Sequence, residues 1–123
     1  MYKNELHLSN YGFETCINTN IHIINDSLMV AFSLKACGET EIKELFAITF
    51  LRDKILAVNT NSVEAHTGYP SPQQIQEELA LNIAKSKFFA LVVKVQSQSL
   101  ENIWEIIDNQ EKPEEVLFHT LFS

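Results

Sequence analysis

From residue 13 to residue 58 the hydrophobic positions recur with a period of two. Phe13, Thr15, Ile17, Thr19, Ile21 and Ile23 share one parity, and Glu14, Cys16, Asn18, Asn20 and His22 share the other. Successive side chains on a strand point to opposite sides, so this alternation predicts a ribbon with one packed face and one wet face. Asn25, Asp26 and Ser27 have the short polar side chains that accept turn conformations. Leu28, Val30, Phe32, Leu34 and Ala36 then predict a second strand, and Gly38, Glu39 and Thr40 a second turn.

The face made by Ile42, Phe46, Ile48 and Phe50 is apolar, with Glu44 as its one exception. A helix over residues 40–45 is an alternative there, but β-branched and aromatic residues favour strand beyond it. Arg52, Asp53 and Lys54 read as a polar turn before another strand at residues 55–58. Residues 5–9, with Leu6 and Leu8 on one side, predict a short first strand, closed by a turn at Asn10, Tyr11 and Gly12. Residues 59–70 break the pattern and read as a connecting loop.

The periodicity changes after Pro70. Ser71 can accept from the free amides of a helix start, Pro72 suits the first helical position, and Gln74 completes a capping box. Ile75, Leu79 and Ile83, with Ala80 and Ala84, form an apolar stripe. The expected helix ends near Lys85 or Ser86. Residues 88–95 are apolar on both parities, which predicts a central strand covered on both sides, with a buried helical extension as the alternative. Leu100, Ile103, Trp104 and Ile107 restore helical spacing behind Ser99 as cap. Beyond Pro113, Glu114 and Glu115 favour a last helix over a closing strand. The expectation is a single α+β domain over residues 1–123, with an antiparallel sheet of four to six strands as an N-terminal meander and two or three helices in the C-terminal half.

Composition narrows the functions. The 123 residues carry 16 acidic and nine basic side chains, a formal charge of −7. Binding to a nucleic-acid duplex draws its affinity from Lys and Arg contacts that release counterions, so this balance disfavours direct nucleic-acid binding. An anionic membrane surface is disfavoured on the same ground, and no run approaches the length that spans a bilayer. A basic protein partner fits, since opposite fields speed encounter. Cys16 and Cys37 are too few for a disulfide scaffold and lack CxxC spacing, so a reducing cytoplasm is the default expectation.

Candidate chemistry is sparse. Cys16 and His22 share a strand face but lie about 20 Å apart at ~3.3 Å per residue. Cys37 beside Gly38 offers a turn setting for a reactive thiol, or simply a small residue at a strand end. His7, His22, His66 and His119 fall in four separate segments without metal-ligand spacing, so no metal or other cofactor is expected. His66 sits in the 59–70 loop, where a small ligand-binding or catalytic site is the least favoured alternative. No phosphate-binding or nucleophile motif occurs, and no enzymatic activity is expected.

The acidic C-terminal third is the most suggestive feature. Glu101, Glu105 and Asp108 fall at i, i+4 and i+7 on one helix face, followed by Glu111, Glu114 and Glu115, with Lys112 the one cation among these six acids. Glu39, Glu41 and Glu44 form a second acidic cluster. The plain account is a solvated face; the functional one is a docking surface for a cationic patch. A small acidic α+β chain of this kind is similar in type to bacterial immunity and antitoxin proteins. That resemblance implies a stoichiometric inhibitor whose Glu101, Glu105, Asp108, Glu111, Glu114, Glu115, Glu39 and Glu41 engage a basic toxin, often a nuclease. A strand meander followed by helices also resembles the general plan of export chaperones, which implies an oligomer holding client segments on exposed apolar surface. A homodimer through a sheet edge is the further expectation, with the polar, uncharged stretch at residues 18–20 as a weakly guarded edge.

Overall fold

The computed structural model describes residues 1–61 and 71–122, with the backbone alone at residues 60 and 61. Five strands form one antiparallel sheet: β1 (Tyr2–Asn10), β2 (Phe13–Ile24), β3 (Ser27–Ala36), β4 (Glu44–Phe50) and β5 (Ile55–Asn61). Their spatial order is their chain order, so every strand pairs with its sequence neighbours. Three helices follow, α1 (Pro72–Gln96), α2 (Leu100–Asn109) and α3 (Pro113–Phe122). The sheet and helices make the α+β architecture that the two periodicities predict. Among the described residues no helix is long and apolar enough to cross a membrane.

Turn chemistry sets the register. Tyr11 and Gly12 both take positive φ, 53° and 78°, as a two-residue hairpin loop whose twist matches its strands requires. That turn pairs Asn10 with Phe13 and, counting back, Leu6 with Ile17 and His7 with Cys16. Asn25, at φ 52°, plays the same part between β2 and β3, where Ile24 faces Ser27. The first strand starts earlier than the pattern of Leu6 and Leu8 suggests, at Tyr2, because β2 is long enough to pair it throughout.

One face of the sheet carries the core. Ile17, Ile21, Leu28, Val30, Phe32, Leu34, Ile48 and Phe50 are fully buried there, against Ala84, Phe88 and Val95 of α1, Ile103 of α2, and Leu117 and Leu121 of α3. Phe32 is the meeting point. Its ring lies 6.0 Å from Phe46 on β4, 5.5 Å from Phe88 on α1 and 5.7 Å from Phe122 on α3. Glu44, the exception on the β4 face, is buried at the end of that strand with Lys85 Nζ of α1 3.8 Å away.

The main departure from the sequence reading concerns residues 88–95. They extend α1 to 25 residues instead of forming a central strand. Apolar residues on both parities satisfy either element. The buried positions Ala80, Ala84, Phe88, Val92 and Val95 recur at helical spacing, and no glycine or proline interrupts Lys85, Ser86 and Lys87. Ser71 caps this helix as expected, its Oγ accepting from Gln74 N at 3.2 Å while Gln74 Oε1 accepts from Ser71 N at 2.7 Å. The stripe shifts, however: Ile75 and Leu79 are exposed, because residues 71–79 extend beyond the packed layer. Residues 113–122 are helical, the option favoured from Glu114 and Glu115.

Replacing Phe32 with alanine is expected to lower the unfolding free energy by about 3–5 kcal/mol, the range for emptying a packed aromatic site. Urea unfolding followed by circular dichroism measures it. A loss under about 1 kcal/mol would show that the two layers are fastened elsewhere.

Candidate functional site

The helices lie over β1 to β4, and among the described residues nothing covers the other side of the sheet. This open face is graded. Toward β1 and β2 it is polar, a shallow dish lined by Lys3, Glu5, Asn18, Asn20 and Ser33. Toward β5 it is apolar: Val58 pairs with Ala47, which pairs with Ala31, while Leu56 and Met29 flank Thr49 and Leu45 lies beside Ser33. Val58 is 65% exposed, Leu56 47% and Met29 44%. From Leu56 to Asn59 both sides of β5 are exposed, so among the described residues this strand is an edge without a helix over it.

The two borders differ in their guard. The border strand β1 carries Lys3, Glu5 and His7, the charged side chains that discourage strand addition. The segment Ile55–Asn61 has neither a charge nor a proline. Leu51 N donates to Lys54 O at 2.9 Å, which sets the hairpin phase. Antiparallel alternation then turns the backbone groups of Leu56 and Val58 toward β4, and those of Ala57 and Asn59 outward. The stretch Asn18, Thr19 and Asn20, expected as an exposed edge, is instead interior, with β1 on one side and β3 on the other.

The acidic residues divide between two ends of the molecule. Glu101, Glu105 and Asp108 of α2 meet Asp53 around a groove of about 640 Å³ that includes Arg52 and Trp104. Trp104 is buried, its Nε1 donating to Leu51 O at 2.8 Å. The guanidinium of Arg52 lies 3.8 Å above its ring. Arg52 also donates to both oxygens of Asp108, at 2.8 and 3.0 Å, and to Asp26 at 3.2 Å. This fork holds the Asp108 carboxyl below its ordinary range and the guanidinium above its own. Asp108 is therefore matched internally by the chain's one arginine. Glu101, Glu105 and Asp53 have no ion-pair partner among the described residues.

Glu111 is exposed between α2 and α3, Glu115 is exposed in the first turn of α3 and Glu114 is half-buried beside it. Glu39 lies at the opposite end of the sheet, in a crevice of about 420 Å³ with Glu14, Lys43, Glu77 and Glu78. Glu41 pairs with Lys43 at 3.3 Å. Nine residue steps along β3 separate the ends, about 30 Å at strand rise, so the two clusters do not form one surface.

Cys16 and Cys37, read as separate free residues from the sequence, are joined by a disulfide with Cα atoms 5.4 Å apart. Closing a loop of 21 residues' separation restricts the unfolded chain by about 3 kcal/mol. Registers explain the pairing: Cys16 faces Lys35 on β3, and Cys37 follows two residues later, its N donating to Glu14 O at 3.1 Å. His7 faces Cys16 from the other side. The 59–70 loop and His66, from residue 62 on, lie outside the described residues. Searches of protein-family models, curated proteins and solved structures find no match to this chain.

Because the Asp108 pKa is depressed in the folded state, its contribution to folding is complete at neutral pH and is lost as pH falls below about 4 toward the lowered value. Arg52→Ala should return the Asp108 carboxyl to the ordinary range in an NMR titration, flatten that acid limb of stability and alter the emission of the chain's single tryptophan. An unmoved carboxyl would mean that the fork does not persist in solution.

Proposed function

We propose that this protein is a non-enzymatic protein-binding module that works as an oligomer, of the folding- or export-chaperone type. The observation that carries the reading is the apolar half of the open sheet face running into β5, an edge strand without charge or proline and, among the described residues, without helical cover. Exposed apolar surface of this kind marks interaction sites, and free outward backbone groups accept an added strand. Ile75 and Leu79, exposed near the start of α1, add apolar surface outside the core. A meander followed by helices supports the same reading. The net charge of −7 favours cationic, unfolded client segments over nucleic acid. The working compartment in this proposal is the cytoplasm, where a disulfide such as Cys16–Cys37 is a redox-responsive bond and not a permanent one.

Static light scattering should give a dimer or larger assembly at micromolar concentration. Ala57→Pro removes an outward amide while sparing the ladder to β4, so it should shift the protein to monomer with its circular dichroism unchanged. A wild-type monomer throughout that range would sink this reading.

A second reading, an inhibitor of the immunity type that blocks a basic toxin, rests on the α2 groove. There Glu101, Glu105 and Asp53 flank the Arg52 and Trp104 stack. The binding surface in that case is this one end, since Glu39 and Glu41 lie at the other. Glu101→Lys with Glu105→Lys should slow association with a basic partner captured from the host by at least tenfold. Raising salt should slow the wild type in the same way. A tight complex indifferent to both changes, measured by surface plasmon resonance, would remove the electrostatic basis.

A further inference from the structure

On the open face, at the end away from the acidic groove, one cluster combines sulfur and imidazole donors. His7 Nδ1 lies 3.6 Å from Cys16 Sγ and 3.7 Å from Cys37 Sγ. All three donor atoms fall within 4.8 Å of one another. A tetrahedral centre with bonds of about 2.3 Å to sulfur and about 2.0 Å to nitrogen places neighbouring S and N ligands about 3.6 Å apart. Both nitrogen–sulfur separations therefore already suit a shared cation. The two sulfurs alone are too close, because they are bonded to each other.

The far side of the ring is also arranged. His7 Nε2 lies 3.3 Å from a Glu5 carboxylate oxygen. A carboxylate in that position holds the proton on the outer nitrogen and leaves Nδ1 as the donor, which orients an imidazole toward a metal. Cys16 is buried and its position is fixed by pairing on both sides. The His7 side chain is 61% exposed, so a fourth position faces water.

We propose that His7, Cys16 and Cys37 form a redox-gated site for a thiophilic divalent cation, zinc by preference, closed in the disulfide form and opened by reduction. Two molecules of a low-molecular-weight thiol supply two electrons to the sulfur pair. The S–S bond breaks, each sulfur takes a proton, and the reductant leaves as its own disulfide. The cation then binds as the two thiols release those protons, and its own oxidation state does not change. An oxidant of the disulfide class reverses the sequence and expels the metal. The mixed nitrogen–sulfur donor set selects zinc over the hard cations that prefer oxygen. The disulfide ties β2 to the start of the β3–β4 connection, and the metal-bound state adds β1 to that junction through His7.

The test uses the full chain, reduced anaerobically with a phosphine and titrated with cobalt(II), then zinc(II). One equivalent of cobalt should give thiolate charge-transfer and tetrahedral d–d bands, and zinc should bleach them. The oxidised protein should give none. His7→Asn and Cys37→Ser should each abolish the tetrahedral spectrum, Glu5→Gln should weaken binding about tenfold, and His22→Asn, on the same face of β2, should change nothing. Circular dichroism checks that each variant is folded. A folded, reduced protein with two titratable thiols and no stoichiometric spectrum overturns the proposal. A spectrum that survives His7→Asn, or that the oxidised protein shares, does so equally.

Discussion

Everything in this molecule depends on how the single packed face of the sheet is covered, and Phe32 shows the constraint most clearly. It sits on the middle strand, fully buried, with aromatic neighbours from β4, α1 and α3. Aromatic pairs at these separations add roughly 0.5–1.5 kcal/mol each beyond the area they bury. Both the sheet and the helical layer converge on this residue, so neither layer's position can change without repacking the other. A meander whose strands pair only with sequence neighbours completes its hydrogen bonding locally. The helices are thus needed for one face alone, and among the described residues nothing covers the opposite face.

That division also explains the helix that the sequence pattern concealed. A sixth strand from residues 88–95 would have needed a place at the border of an already closed meander. As helix, the same residues bring Phe88, Val92 and Val95 onto the core without opening the sheet. Local pattern was ambiguous because both elements bury a continuous apolar run, and tertiary demand decided. The hairpins were legible for the opposite reason. Gly12, Asn25 and the alternation around them specify turn and register together.

The site features divide along the same line. The acidic spacing of α2 was readable from Glu101, Glu105 and Asp108, since residues three or four apart share a helix face. The partner of Asp108 was not, because Arg52 reaches it across 56 positions of chain. The Cys16 and Cys37 pairing lay within reach of counting. A two-residue turn at Tyr11 and Gly12 forces His7 opposite Cys16, and a turn at Asn25 and Asp26 forces Lys35 opposite Cys16 from the other side. Spacing within one strand, such as Cys16 to His22, carried no such information. Chemistry on a sheet is assembled across strands, where sequence distance means little.

Charge and apolar surface end up in different places, and that separation bears on how the protein can act. The unpartnered carboxylates of α2 stand on the helical layer at one end, whereas the exposed Met29, Leu45, Leu56 and Val58 stand on the sheet's open side. A surface that is both strongly acidic and apolar would repel a second copy of itself. With Glu101 and Glu105 on the helical layer, β5 itself presents no charge to a second copy, and the acid nearest to it in sequence is Asp53, in the hairpin that leads into the strand. The same segregation keeps like charges off a strand that has no charge of its own to guard it. An acidic composition and an unguarded edge are therefore compatible in one molecule, because the carboxylates of α2 and the apolar side chains of β5 belong to different layers.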